Sequence, residues 1–223
     1  MTRIACLHGH HSNIPLLDDA FSPWTVELVH FVDPGLLMQN GGTRPPIQEQ
    51  AHEKLRSQLS WMQACLPDAI VITCTQYAAS LTAEDEASMN IPVFTIDGPF
   101  FDEVTKCTGP QALLFSNPAT VTPTMNRLWK HASARGLAPQ IEIHLADGAF
   151  DFIMANKQQA YHDAIWDALQ TLCDNHLSVS LAVAQLSMVP VAHHFTRESG
   201  IPIIHPLQSL TERMVQTLQL SQK

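Results

Sequence analysis

Eight short apolar runs, at residues 3–7, 26–32, 69–74, 93–96, 112–115, 141–145, 179–184 and 201–204, constrain the fold of this chain more than any other feature. Most are rich in Val and Ile, and they read as buried strands. Between them, apolar residues step by three or four, as in Ile47, Ala51, Leu55, Leu59, Met62 and Leu66, and again in Tyr161, Ile165, Ala168 and Leu172. Leu207, Leu210, Met214 and Leu218 repeat the pattern at the end of the chain. Such spacing marks amphipathic helices. Strand alternating with helix predicts an α/β fold, with parallel sheets wrapped by helices in the doubly wound manner.

The strand starts also repeat. The first four (3, 26, 69, 93) and the second four (112, 141, 179, 201) are offset by 109, 115, 110 and 108 residues. A duplication follows, with one Rossmann-like lobe per half and residues 97–111, which hold Gly98, Pro99, Gly109 and Pro110, as the linker. The long loop Asp33 to Pro46, with Gly41, Gly42 and Pro45, either folds over a site or is idle surface.

Composition excludes several partners. The net charge is −9, and the 12 Lys and Arg residues form no cluster, so no nucleic-acid footprint is present. No run is long enough to span a membrane, and the first eleven residues lack the form of a signal peptide. Five cysteines, Cys6, Cys65, Cys74, Cys107 and Cys173, show neither CxxC nor zinc-ligand spacing, which fits reduced thiols in the cytoplasm. GxGxxG, GxxxxGK[ST] and GxSxG are all absent, which argues against dinucleotide, P-loop and serine-hydrolase chemistry.

In open parallel sheets, ligands bind beyond the carboxyl ends of strands. The residues there are polar: His8 to Asn13, Cys74 to Tyr77, Ser116 to Thr120, Gln185 to Met188, and His205-Pro206. Cys74 is the leading candidate, because it ends a buried run and opens a helix expected over Thr75 to Met89. Unpaired N–H groups and the dipole at a helix start favour a thiolate and can hold an oxyanion. The competing reading is a buried structural thiol. His8, His10 and His11 are expected to make local turn hydrogen bonds, and no metal site is expected. His193 and His194 are read as packing or surface, and His205 as either a base, a substrate donor or a turn residue. Asp97, Asp102 and Glu103 are read as the cap and first turn of the helix after the linker.

The segments ACLHGHHSNI, HFVDPGLL, DAIVITCTQYAAS, IPVFTIDGPFFDEV, ALLFSNPATVTPT, GAFDFIMANKQQAYHDAIWDAL and SLAVAQLSMVPVA, in this order, resemble the aspartate/glutamate racemase superfamily across nearly the whole chain. The resemblance implies two α/β lobes related by a pseudo-twofold axis, a site in the cleft between them, and a last helix packed back on the first lobe. The lobes would then be residues 1–97 with 206–223, and 98–205. It also implies chemistry without a cofactor at the carbon alpha to a carboxylate, with one cysteine from each lobe on opposite sides of that carbon. Cys74 takes the first of these positions. Gln185 stands where the second thiol belongs, with Ser187 two residues on, and a Gln amide cannot exchange protons usefully near neutral pH.

The resemblance therefore points to Cys74 as thiolate base or nucleophile, with Gln185 and Ser187 at the second catalytic position. Ser12, Asn13, Thr75, Gln76, Ser116, Asn117, Thr120 and His205 would bind a small carboxylate. The alternatives are a one-cysteine lyase, isomerase or hydrolase of the same fold, and a non-catalytic carboxylate sensor. A homodimer is expected from similar proteins, with Trp24, Leu36, Leu37 and Met38 as candidates for its interface or for the core.

Overall fold

The computed structural model describes residues 1–40, 48–175 and 179–223, which form two compact units. The first comprises Met1–Pro99 with Leu207–Lys223, and the second Phe100–Pro206. The first unit runs β1 (Thr2–His8), α1 (Asn13–Phe21), β2 (Val26–Val32), α2 (Gly35–Asn40), α3 (Gln48–Gln63), β3 (Ala69–Ile72), α4 (Thr75–Ala79), α5 (Ala83–Ser88) and β4 (Val93–Thr95). Helix α6 (Gly98–Lys106) leads into β5 (Gln111–Phe115), α7 (Pro118–Ser133), β6 (Ile141–Leu145), α8 (Ala149–Met154) and α9 (Gln158–Asn175). Then come β7 (Ser180–Val183), a short 3-10 turn (Leu186–Met188), α10 (Val189–Ser199), β8 (Ile203–Ile204) and α11 (Pro206–Leu218).

The result is an α/β fold with two four-stranded sheets, ordered β2-β1-β3-β4 and β6-β5-β7-β8, in which every ladder is parallel. Each predicted apolar run contains one strand, and the two orders are the same permutation. That identity is what a duplication leaves behind.

Period-two alternation gives each sheet two apolar faces. In the first, Ala5, Leu7, Ile70 and Ile72 pack with Leu55, Leu59 and Met62 of α3. Burying such side chains contributes on the order of 1.5–3 kcal/mol each before chain entropy is counted. Cys6 and His8, the intervening residues of β1, are fully buried on the opposite face. In the second sheet, Leu114, Leu181 and Val183 meet Ile165, Leu169 and Leu172 of α9. Its other face sets Leu113, Phe115 and Ala182 against Phe100, Phe101 and Val104 of α6 and Met125 and Leu128 of α7.

Several local expectations are corrected. The helix expected over Thr75 to Met89 is broken into α4 and α5, because Thr82 starts a new helix. Its side chain accepts from the Asp85 N–H while the Asp85 carboxylate accepts from the Thr82 N–H, a reciprocal cap that restarts the helix. Leu66 is not the last turn of α3; it lies beyond it at φ 51 and is exposed. The loop expected from Asp33 contains α2, and its remainder at 41–46 lies outside the described residues, as does Ile47.

Of the interface candidates, Leu36 is core, and Trp24 bridges to Gln222 within its own unit. Met38 is exposed, and the side chain of Leu37 lies outside the description. Among the described residues, no helix is long and apolar enough to cross a membrane.

Candidate active site

The carboxyl end of the first sheet is built around Cys74. Strand β3 is wholly buried, and the chain stays extended through Cys74, at φ −94 and ψ 118, before turning into α4. By alternation Cys74 follows Ile70 and Ile72 onto the α3 side of the sheet, where it joins their apolar cluster with Leu36 and Tyr77. Its residue is 7% exposed. Burial raises the pKa of the thiol, and the charges of Asp97 and Asp33 raise it further. The backbone N–H groups of Tyr77 and Gln76 work the other way, although the Cys74 side chain makes no cap hydrogen bond to α4. Burial wins, so the resting group is a thiol, and the expectation that a helix start leaves it ionised is corrected. A helix of five residues is too short to offset the loss of water around sulfur.

The two carboxylates arrive from the ends of the two edge strands of the same sheet. Asp33 follows β2 and accepts from the Gly35 N–H at 2.9 Å, Gln58 Nε2 at 2.5 Å and Lys54 Nζ at 2.8 Å. Burial works against its charge, but Lys54 and the Gly35 N–H outweigh it and hold the carboxyl below its ordinary range. Tyr77 has its pKa raised by burial and then by Asp33. Asp97 follows β4 and is 1% exposed. The register Ile72 to Thr95 carries Cys74 and Asp97 to matching positions beyond their strands. Asp97 is therefore part of this strand end as well as the residue before α6. Of the predicted anchors, Thr75 and Gln76 are half-buried, and the Gln76 Oε1 atom is buried with no hydrogen-bond partner among the described residues.

Nearby, Ser12 precedes α1 and its Oγ lies 2.8 Å from His10 Nδ1, a local turn contact. Asn13 Nδ2 donates to Thr73 Oγ1 at 3.4 Å. His8 departs from expectation, being a fully buried residue of β1 and not part of a turn. It contacts Thr73 and His30, partners supplied by neighbouring strands.

In the second unit, Gln185 is held on every side. Its Oε1 accepts from the Ser116 N–H at 2.7 Å and the Ser116 hydroxyl at 3.1 Å, and its Nε2 donates to Thr120 Oγ1 at 2.7 Å. Thr120 in turn donates to the Asn117 carbonyl at 2.8 Å, and Asn117 Oδ1 caps α7 by accepting from the Ala119 N–H at 3.0 Å. Ser187 lies 2.8 Å from the Tyr161 hydroxyl, which donates to Ser116 Oγ at 3.4 Å. A phenol whose pKa is raised by burial stays protonated and is no activating base for a serine, so this group binds and positions but does not abstract protons. His205 is buried beside His193, Nε2 to Nε2 at 2.8 Å, and burial followed by the His193 charge lowers it to about 4. His193 is thus a partner of His205 as well as a packing residue.

Within the first unit, then, Cys74, Thr75 and Gln76 stand together, with Asn13 tied to Thr73. Within the second, Ser116, Asn117, Thr120, Gln185 and Ser187 share one network, and His205 belongs to a different pair. Asp33, Asp97, His30 and Tyr161 escaped the sequence reading as site residues. Asp33 and Asp97 carried a usable signal, since each directly follows a predicted strand.

Solved structures give the fold a context. The chain is similar to glutamate racemase from Campylobacter jejuni subsp. jejuni at 12% identity, covering 100% of this chain and 88% of that one with a TM-score of 0.67. It is similar to aspartate racemase from Picrophilus torridus at 12% identity, over 100% and 96% of the two chains, with a TM-score of 0.68. Allantoin racemase from Klebsiella pneumoniae matches at 16% identity, over 100% and 91%, with a TM-score of 0.66. At such identities the likeness is one of fold. No protein-family model matches the sequence, and no curated protein does.

Proposed function

We propose that this chain, which has the fold of glutamate, aspartate and allantoin racemases, is a cofactor-independent isomerase-like enzyme acting at the carbon alpha to a carboxylate. Cys74 is its reacting group. The observation that carries this reading is the seat of the thiol, at the carboxyl end of a parallel sheet and the start of α4, where the Tyr77 and Gln76 backbone works against the effect of burial. A substrate ammonium or other N–H group beside Asp33 and Asp97 offsets their charge and favours the thiolate. The free Gln76 Oε1 is an acceptor suited to the same group. The thiolate then removes the α-proton, leaving a planar carbanion delocalised into the substrate carboxylate; the thiol returning a proton to the same face exchanges the α-hydrogen, and isomerisation follows when the carbanion turns its other face to the thiol before the proton returns. Ser12, Asn13 and Thr75 bind the carboxylate. Ser116, Asn117, Thr120, Gln185 and Ser187 position the second strand end. The free thiols suit a reducing compartment such as the cytoplasm.

A second reading, a one-thiol lyase, isomerase or hydrolase working through a covalent adduct, is favoured by one specific observation. Gln185, at the position that the sequence resemblance gives to a second thiol, carries an amide tied to Ser116 and Thr120. Incubating the protein in D2O with a panel of α-amino acids, dicarboxylates and ureido acids separates the readings. The first expects loss of an α-proton signal by NMR that Cys74→Ala abolishes, by at least about a thousandfold given the usual worth of a positioned acid–base group. A mass adduct on Cys74 without exchange supports the second. Undiminished exchange by Cys74→Ala removes both.

A further inference from the structure

The other face of the first sheet carries a donor set that the proposed reaction does not use. Cys6 and His8, two apart on β1, share that face, and His30 on β2 is the register partner of Cys6. The Cys6 sulfur and one nitrogen from each imidazole lie within 4.8 Å of one another. Cys6 and His8 are fully buried, and the His30 side chain is 17% exposed. The inner nitrogens, His8 Nε2 and His30 Nδ1, are 2.9 Å apart. Each outer nitrogen is held by an oxygen: His8 Nδ1 by Thr73 Oγ1 at 2.8 Å, and His30 Nε2 by Asp18 Oδ1 at 3.1 Å. Asp18 is half exposed and opens the cluster to solvent.

We propose that Cys6, His8 and His30 form a binding site for a borderline-soft divalent cation of the Zn2+ class. Imidazoles that ligate metals keep the outer nitrogen on a carboxylate or other oxygen, as both rings do here, and turn the inner lone pair to the ion, which both rings can do once the proton shared by the inner nitrogens moves to His8 Nδ1. One thiolate with two imidazoles suits Zn2+, with a fourth position for water or a carboxylate. Bond lengths of about 2.0–2.3 Å place tetrahedral ligand atoms about 3.3–3.6 Å apart, so the two nitrogens need to part by only a few tenths of an ångström.

Binding balances as follows. Cys6 releases its thiol proton to solvent as the sulfur–metal bond forms. His8 carries its single N–H on Nδ1, donated to Thr73, and the Thr73 hydroxyl turns to the Leu7 carbonyl, which it already reaches at 3.2 Å. The ion fastens β1 to β2 and, through Asp18, to α1. It does so beside Thr73 and Asn13, the residues next to the candidate site.

The test uses the full chain, stripped with a chelator and titrated with Co2+ and then Zn2+. One equivalent of Co2+ binds, giving visible bands of a four-coordinate ion and a near-ultraviolet thiolate-to-cobalt absorption that Zn2+ displaces. Cys6→Ser loses the thiolate absorption, and Asp18→Asn, a half-exposed change with little reason to disturb folding, weakens binding about 10- to 100-fold. Circular dichroism of each metal-free variant checks that the fold is kept. A thiolate absorption that persists in Cys6→Ser assigns the ion to another cysteine and overturns the proposal. So does a folded wild-type chain that takes up neither ion at micromolar concentration, leaving only a proton between His8 and His30.

Discussion

Cys74 shows how much one side chain depends on neighbours that arrive from elsewhere in the chain. Its place after a buried apolar run was readable, because strand ends follow from hydropathy. Its ionisation was not, because Asp33 and Asp97 reach it through turns that periodicity does not describe. The electrostatics yields a prediction at this scale. Asp33→Asn removes one of the negative charges that disfavour the thiolate and frees Lys54 from its partner, so Cys74 should ionise at lower pH. Iodoacetamide labelling of Cys74 as a function of pH reads this directly. An unchanged or raised midpoint would show that burial alone sets the thiol. His8 teaches the same lesson, since its partners Thr73 and His30 come from β3 and β2 and its own segment HGHHSN names neither.

Elements were legible where hydropathy decides them. Every strand overlaps a predicted apolar run, although the edge strands β2 and β6 are not buried as expected because they have a neighbour on one side only, and α3, α9 and α11 follow apolar spacings of three and four. The helix after Cys74 was misjudged because a local hydrogen-bond pair, Thr82 with Asp85, overrides a continuous helical pattern. The turns after β5 and β7 are joined by the Gln185 amide, a link made by a side chain with no periodic signature. Gln185→Ala leaves the Ser116 N–H without its acceptor, at a cost of about 1–3 kcal/mol for a buried group left unsatisfied, while the Thr120 hydroxyl keeps the Asn117 carbonyl. Denaturant unfolding should therefore show a drop of at least roughly 1 kcal/mol. A loss below a few tenths would mean that water replaces the amide and that the network is looser than its distances imply.

For the whole molecule, the repeat in strand starts was the sequence feature with the widest reach, because it anticipates two sheets with one strand order. How the sequence divides its net charge of −9 says less, since no cluster marks a partner. Global stability has a predictable acid limb through His205. Burial lowers this imidazole from 6.5 to about 4, so the folded chain resists a proton that the unfolded chain accepts. Stability is unaffected above about pH 6.5, falls as pH drops toward about 4, and levels below it, by roughly 3 kcal/mol in total for this one group. Urea midpoints between pH 7 and pH 4 should decline less steeply in His205→Gln than in the wild-type chain, and parallel profiles would contradict the assignment.

The central claim, that the Cys74 sulfur does the chemistry, is tested most directly by following cysteine alkylation and α-proton exchange in the same sample. Mass spectrometry resolves the modified fraction at each of the five thiols while NMR measures the exchange rate. The account predicts that exchange falls in proportion to alkylation of Cys74, whatever the state of Cys65, Cys107 and Cys173. Exchange that continues undiminished with Cys74 fully alkylated would contradict it.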